Sequence, residues 1–130
     1  MKASFSLIST LLLVLLLPQT TYSHHSVYAD FDIEGSITIE GVVTEVWFKS
    51  PHIRVDISVT DKAGKNVMWN TYGHNPTALR RQGWVKDTLK AGDNVVASGD
   101  PTFNGSPKMF LRKVSIEGGK VLLNKAGGPG

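Results

Sequence analysis

The eight residues His52-Ile53-Arg54-Val55-Asp56-Ile57-Ser58-Val59 alternate polar and apolar without a break. A period of two is the pattern of a β-strand with one buried face. Ile53, Val55, Ile57 and Val59 share that face, and His52, Arg54, Asp56 and Ser58 share the other. A strand of this kind needs hydrogen-bonded neighbours on its edges and an apolar layer under it, so the flanking segments decide the architecture.

The preceding segment, SITIEGVVTEVWF from Ser36 to Phe48, is rich in β-branched and aromatic residues. Its Ile37, Ile39 alternation is interrupted at Gly41, where a bulge that bends the strand is expected. Asp61-Lys62-Ala63-Gly64-Lys65-Asn66 reads as a turn, and Val67 to Thr71 as a third strand. The good helix signal is short: Asn75 as N-cap, Pro76 at the first helical position, Thr77 to Gln82 as body, and Gly83 as a left-handed cap with Trp84 packing behind it. Asn94 to Ser98 and Met109 to Ile116 read as a strand pair across a loop holding Pro101, Asn104-Gly105 and Pro107, and Lys120 to Leu123 as a last short strand. The order predicts an all-β fold, a small five- to six-stranded OB-like barrel with one short helix between strands 3 and 4. Ile37, Ile39, Val55, Ile57, Val95 and Val114 are its expected core. A small β-sandwich is the alternative, but it has no expected place for the helix.

Ahead of the barrel, Lys2, the unbroken apolar run Leu11 to Leu17, Pro18 and the small-x-small triplet Thr21-Tyr22-Ser23 read as a secretory signal. The apolar stretch is shorter than the roughly 20 residues of a membrane span, so no membrane span is expected after processing. This divides the chain into a signal peptide over 1–23, the barrel domain over 24–125 and a Gly/Pro-rich flexible tail over 126–130. Cleavage after Ser23 makes the protein periplasmic or secreted and exposes His24 as its first residue. The chain has no cysteine, which excludes disulfides, a thiol nucleophile and thiolate metal sites. Its 14 basic and 11 acidic groups are scattered along the chain, with no patch that would point to nucleic acid.

Four stretches, His24-His25-Ser26, Ser50-Pro51-His52, the run Asn75 to Trp84 and Leu89-Lys90-Ala91-Gly92-Asp93, resemble an uncharacterised family of small exported bacterial proteins of the DUF6152 type. Its members begin with His-His-Ser after the signal, carry Asn-Pro-His after the first strand and have an Arg-Arg-Gly-Trp segment. Here Ser50 stands in place of that asparagine, and Gln82 separates Arg81 from Gly83. The resemblance implies export and fold and brings no established activity.

The chemistry therefore rests on individual residues. A chain starting at His24 offers an amine and a ring Nδ1 on one residue, and both can bind one metal ion. A third nitrogen from His25, His52 or His74 would complete a T-shaped set suited to Cu(II). The metal residues expected are His24, His25 and His52, with His52 the best placed because Pro51 fixes the chain before it and its strand face is polar. His74 is not expected to be a ligand. The competing reading makes the histidines a solvated start and an ordinary strand edge. Asp30-Phe31-Asp32-Ile33-Glu34-Gly35 begins like a calcium loop, but the twelfth position is Gly41 rather than glutamate, so an acidic approach to the first strand is the better reading. Trp47, Phe48, Trp69, Tyr72 and Trp84, with Arg54, Arg80 and Arg81 around them, are either core or a stacking surface for a carbohydrate or anionic ligand. Asn104-Gly105-Ser106 matches a glycosylation sequon and is read first as a turn.

No nucleophile motif, zinc-protease motif or phosphate loop is present, so no catalytic residue is assigned. The expectation is an exported binding module for a metal ion or small ligand, with Cu(II) at the processed N-terminus. A metal-free domain binding a carbohydrate or protein is the alternative, and a copper-dependent oxidase the third reading.

Overall fold

The structure is a computed structural model and describes residues 27–125. The expected signal peptide, His24, His25 and the tail over 126–130 lie outside the described residues. A 3-10 turn (Val27–Asp30) leads to β1 (Ile37–Trp47), β2 (Arg54–Thr60), β3 (Asn66–Tyr72), helix α1 (Pro76–Arg80), β4 (Asn94–Pro101), β5 (Lys108–Ile116) and β6 (Val121–Leu123). No helix among them is long and apolar enough to cross a membrane.

β1 pairs antiparallel with β2 along one half and with β4 along the other. β2 continues to β3, and β4 to β5 and then β6, all antiparallel. The sheet closes where β3 and β5 run parallel, Asn70 to Tyr72 beside Lys108 to Phe110. The circuit β1-β2-β3-β5-β4 is a five-stranded mixed barrel, with β6 outside it on the edge of β5. With one short helix between β3 and β4, this is the OB-type barrel the element order predicts.

The expected bulge in β1 exists, three residues later than predicted. Gly41 pairs in register with Val95, and the register shifts between Val43 and Glu45. Before the shift the core-facing residues are Ile37, Ile39 and Val43; after it they are Val46 and Phe48. One extra residue in a period-two strand exchanges the faces, so Trp47 is turned outward. Gly41 serves a different need: a Cβ there would run into the Ser58 carbonyl of β2. A second shift between Ser98 and Gly99 makes β4 pass from Lys113 to Leu111, skipping Arg112 on β5. That leaves Met109 and Leu111 inward on one side of the skip and Val114 inward on the other.

The core holds Ile39, Val55, Ile57, Val95 and Val114 as expected, whereas Ile37 is only half-buried. Helix α1 is shorter than its sequence signals suggest, but its ends are as read. The Asn75 side chain accepts a hydrogen bond from the Ala78 N–H at 2.9 Å. Gly83 has φ +89°, and the Gly83 and Trp84 N–H groups donate to Arg80 and Leu79 carbonyls, both at 3.1 Å. Those two bonds form a Schellman cap, and Leu79 and Trp84 pack into the core together behind it. The Trp84 indole N–H donates to the Leu123 carbonyl at 2.8 Å, tying this segment to β6.

Candidate functional site

His52 does not stand on β2, as the alternation suggested, but in the β1–β2 connection, two residues before the strand begins. The Ser50-Pro51 bond just before it is cis. Ile53 nevertheless extends the ladder, its N–H donating to the His74 carbonyl and its carbonyl accepting from Gly73. The ring is fixed separately: His52 Nδ1 lies 3.0 Å from the Gly73 carbonyl oxygen. A carbonyl can only accept, so the ring proton sits on Nδ1 and the neutral imidazole keeps its lone pair on Nε2.

His74, two residues past the end of β3 and 7% exposed, is brought to the same place. The Tyr28 hydroxyl lies 2.8 Å from His74 Nδ1. The Tyr28 ring meets His52 edge-on at 5.8 Å and also touches His74 and Phe110. His74 Nε2 is buried with no hydrogen-bond partner among the described residues. Burial holds the His74 imidazole below its ordinary value, and the Arg112 guanidinium and His52 push the same way. Burial also raises the Tyr28 phenol, against a smaller opposing pull from Arg112. Both histidines thus have Nδ1 engaged.

Two partners far along the chain hold this arrangement. Asn124, 1% exposed, accepts the His74 backbone N–H through Oδ1 at 2.9 Å and donates through Nδ2 to the Leu111 carbonyl. Arg112, set outward by the β5 irregularity, donates through Nε and Nη2 to Asp100 Oδ2 at 2.9 and 2.5 Å and lies over the Phe110 ring. Sequence reading did not find Tyr28, Asn124 or Arg112. The Tyr28–His74 contact joins residues 46 apart and the Asn124–His74 contact residues 50 apart. No local spacing marks either.

Among the described residues no three His, Cys, Asp or Glu side chains come together as a metal-binding group. The acidic run before β1 forms a turn, with Asp32 Oδ1 accepting the Glu34 N–H and Phe31 buried beside Thr102. Asn104 likewise folds into a turn, its Oδ1 accepting the Ser106 N–H.

The five aromatics do not form one surface. Trp84 is core, and Phe48 and Trp69 pack half-buried against it. Tyr72 leans on Phe31 with ring centroids 6.3 Å apart. Trp47 remains 44% exposed, with Lys49 Nζ 4.6 Å and the Arg54 guanidinium 5.4 Å from its ring centroid. Arg54 is further held by Glu45 at 3.3 Å and Asp56 at 3.1 Å.

No curated protein matches the chain. Among solved structures, the crystal structure of the mitochondrial single-stranded DNA binding protein Rim1 from S. cerevisiae is similar, at 15% identity and a TM-score of 0.47, over 75% of this chain and 99% of that one. The model of the family of unknown function DUF6152 matches residues 13–110, and the chain belongs to that family.

Proposed function

We propose that the protein is an exported binding module that holds one Cu(II) ion at a processed N-terminus beginning with His24. Removal of residues 1–23 frees an amine next to the His24 ring. The amine has an ordinary pKa of about 7.7 to 8.0 and imidazole about 6.5, so a metal displaces both protons near neutral pH. The ligands would be the His24 amine, the His24 ring and His52, with His25 as a further imidazole close by.

The observation that carries this reading is the state of His52. Its Nδ1–H is given to the Gly73 carbonyl, which fixes the ring and leaves Nε2 as the donor, the outer arrangement that metal-binding histidines ordinarily have. Tyr28 adds reach. Its ring lies against His52, and the four residues back to His24 span at most about 14 Å of extended chain. Two nitrogens on one residue also cost less freedom to organise than two separate side chains. Three nitrogens in a tetragonal set favour Cu(II), which stands highest among divalent first-row metals in affinity.

The test is copper titration by calorimetry, with electron paramagnetic resonance to count nitrogens, on protein starting at His24 and on the same protein extended by one residue. Extension turns the amine into an amide without a lone pair, so binding weakens while the fold stays intact. His52→Ala weakens it as well. Equal affinity of the mature and extended forms overturns the N-terminal site and leaves a metal-free binding module.

A further inference from the structure

We propose a second site, independent of the metal: a basic face built on the end of β1 and the connection from α1 to β4, which binds an acidic polysaccharide of the uronate type. A groove of about 350 Å³ is lined there by Trp47, Phe48, Lys49, Lys86, Asp87 and Lys90, among others. The register shift in β1 makes it. By turning Val46 and Phe48 inward it leaves Trp47 on the outer surface, directly across from Arg54 on β2.

The face carries more positive charge than it satisfies internally. Ion pairs among the described residues are Arg54 with Glu45 and Asp56, and Arg112 with Asp100. Lys49, Lys86, Lys90 and Arg80 have no carboxylate within ion-pair distance among the described residues, and all four are exposed. The Arg80 guanidinium lies 5.5 Å from the centroid of the Phe48 ring, which is itself a lining residue. Asp87 lines the groove too, Glu45 stands near Arg54, and the Asp93 carboxylate is turned to the Lys90 backbone N–H.

Charge complementarity calls for an anionic occupant, and two features select among anions. The aromatic rings here carry cations against them, Lys49 and Arg54 at Trp47 and Arg80 at Phe48, so the surface offers fixed positive groups more than open platforms for flat bases. Asp87 and Glu45 are acceptors for hydroxyl groups, which the backbone of a DNA strand does not supply. A uronate chain offers both carboxylates for the lysines and hydroxyls for the acids.

The experiment uses the full chain freed of metal by a chelator, so it does not depend on copper. Tryptophan fluorescence and calorimetry follow titration with oligogalacturonate, with the neutral oligosaccharide cellohexaose, oligo(dT) and phosphatidylglycerol vesicles as comparison probes. Oligogalacturonate binds and the neutral sugar does not, and added salt weakens binding because the cations are exposed. Lys49→Ala, Lys86→Ala and Lys90→Ala together weaken it about tenfold. Lys113→Ala with Lys120→Ala, on the β5–β6 hairpin, leaves it unchanged. Absence of oligogalacturonate binding, full binding by the triple variant, or tighter binding to oligo(dT) or vesicles would overturn the proposal.

Discussion

Replacing Asn124 by leucine tests how the candidate site is held together. The two side chains have the same branched shape, leucine being the bulkier, so the change removes hydrogen bonding without opening a cavity. Asn124 is 1% exposed, and its amide serves two buried backbone groups, the His74 N–H and the Leu111 carbonyl. Its own N–H bonds to the Arg112 carbonyl and is unaffected by the side chain. Each buried group left without a partner costs about 1–3 kcal/mol, so the loss is about 3 kcal/mol in total. With a urea slope of about 1.5 kcal/mol/M for a domain of this size, the unfolding midpoint falls by about 2 M. Tryptophan fluorescence in urea, on metal-free protein, reads it directly. Asn104→Ala is the control, because Asn104 bonds only to the N–H of Ser106 in an exposed turn, and its effect stays within about 0.5 kcal/mol. Equal midpoints for the two variants would refute the claim that Asn124 holds His74 and β5 together.

Two glycines separate steric from conformational need. Gly41→Ala places a methyl group against the Ser58 backbone and costs about 2 kcal/mol or more, whereas Gly83→Ala, with open space around it but φ +89°, costs about 1 kcal/mol; urea midpoints rank them. His74 makes stability depend on pH. Its folded value lies below the ordinary 6.5, so between the two values the unfolded chain takes up a proton that the folded chain refuses. Stability from this residue is full above about pH 6.5 and is lost as pH falls through that window, and His74→Gln removes this part of the slope when midpoints are compared at about pH 7.5 and about pH 5.5. Intact mass of protein recovered from the periplasm is expected to match a chain beginning at His24; a mass retaining Tyr22 or Ser23 would remove the free amine and the copper proposal with it.

Local patterns carried the architecture. Alternation over 52–59, the Asn75 cap and the Gly83 turn depend on residues a few positions apart, so β2, α1 and the Schellman cap could be read before any tertiary contact was known. The phase change in β1 was not legible in the chain, because Val42-Val43 before it and Val46-Trp47-Phe48 after it are apolar on both faces. Gly41 drew attention away from it because glycine often marks a bulge, while here it admits the Ser58 carbonyl. What periodicity could not supply is which ends meet when the barrel closes. The parallel contact of β3 with β5 brings Tyr72 beside Phe110, and the same end of the barrel gathers Tyr28, His52, His74, Arg112 and Asn124 from five separate segments. A strand pattern states which face is buried and leaves its neighbour unspecified, so the setting of His52 and His74 was decided only by tertiary structure.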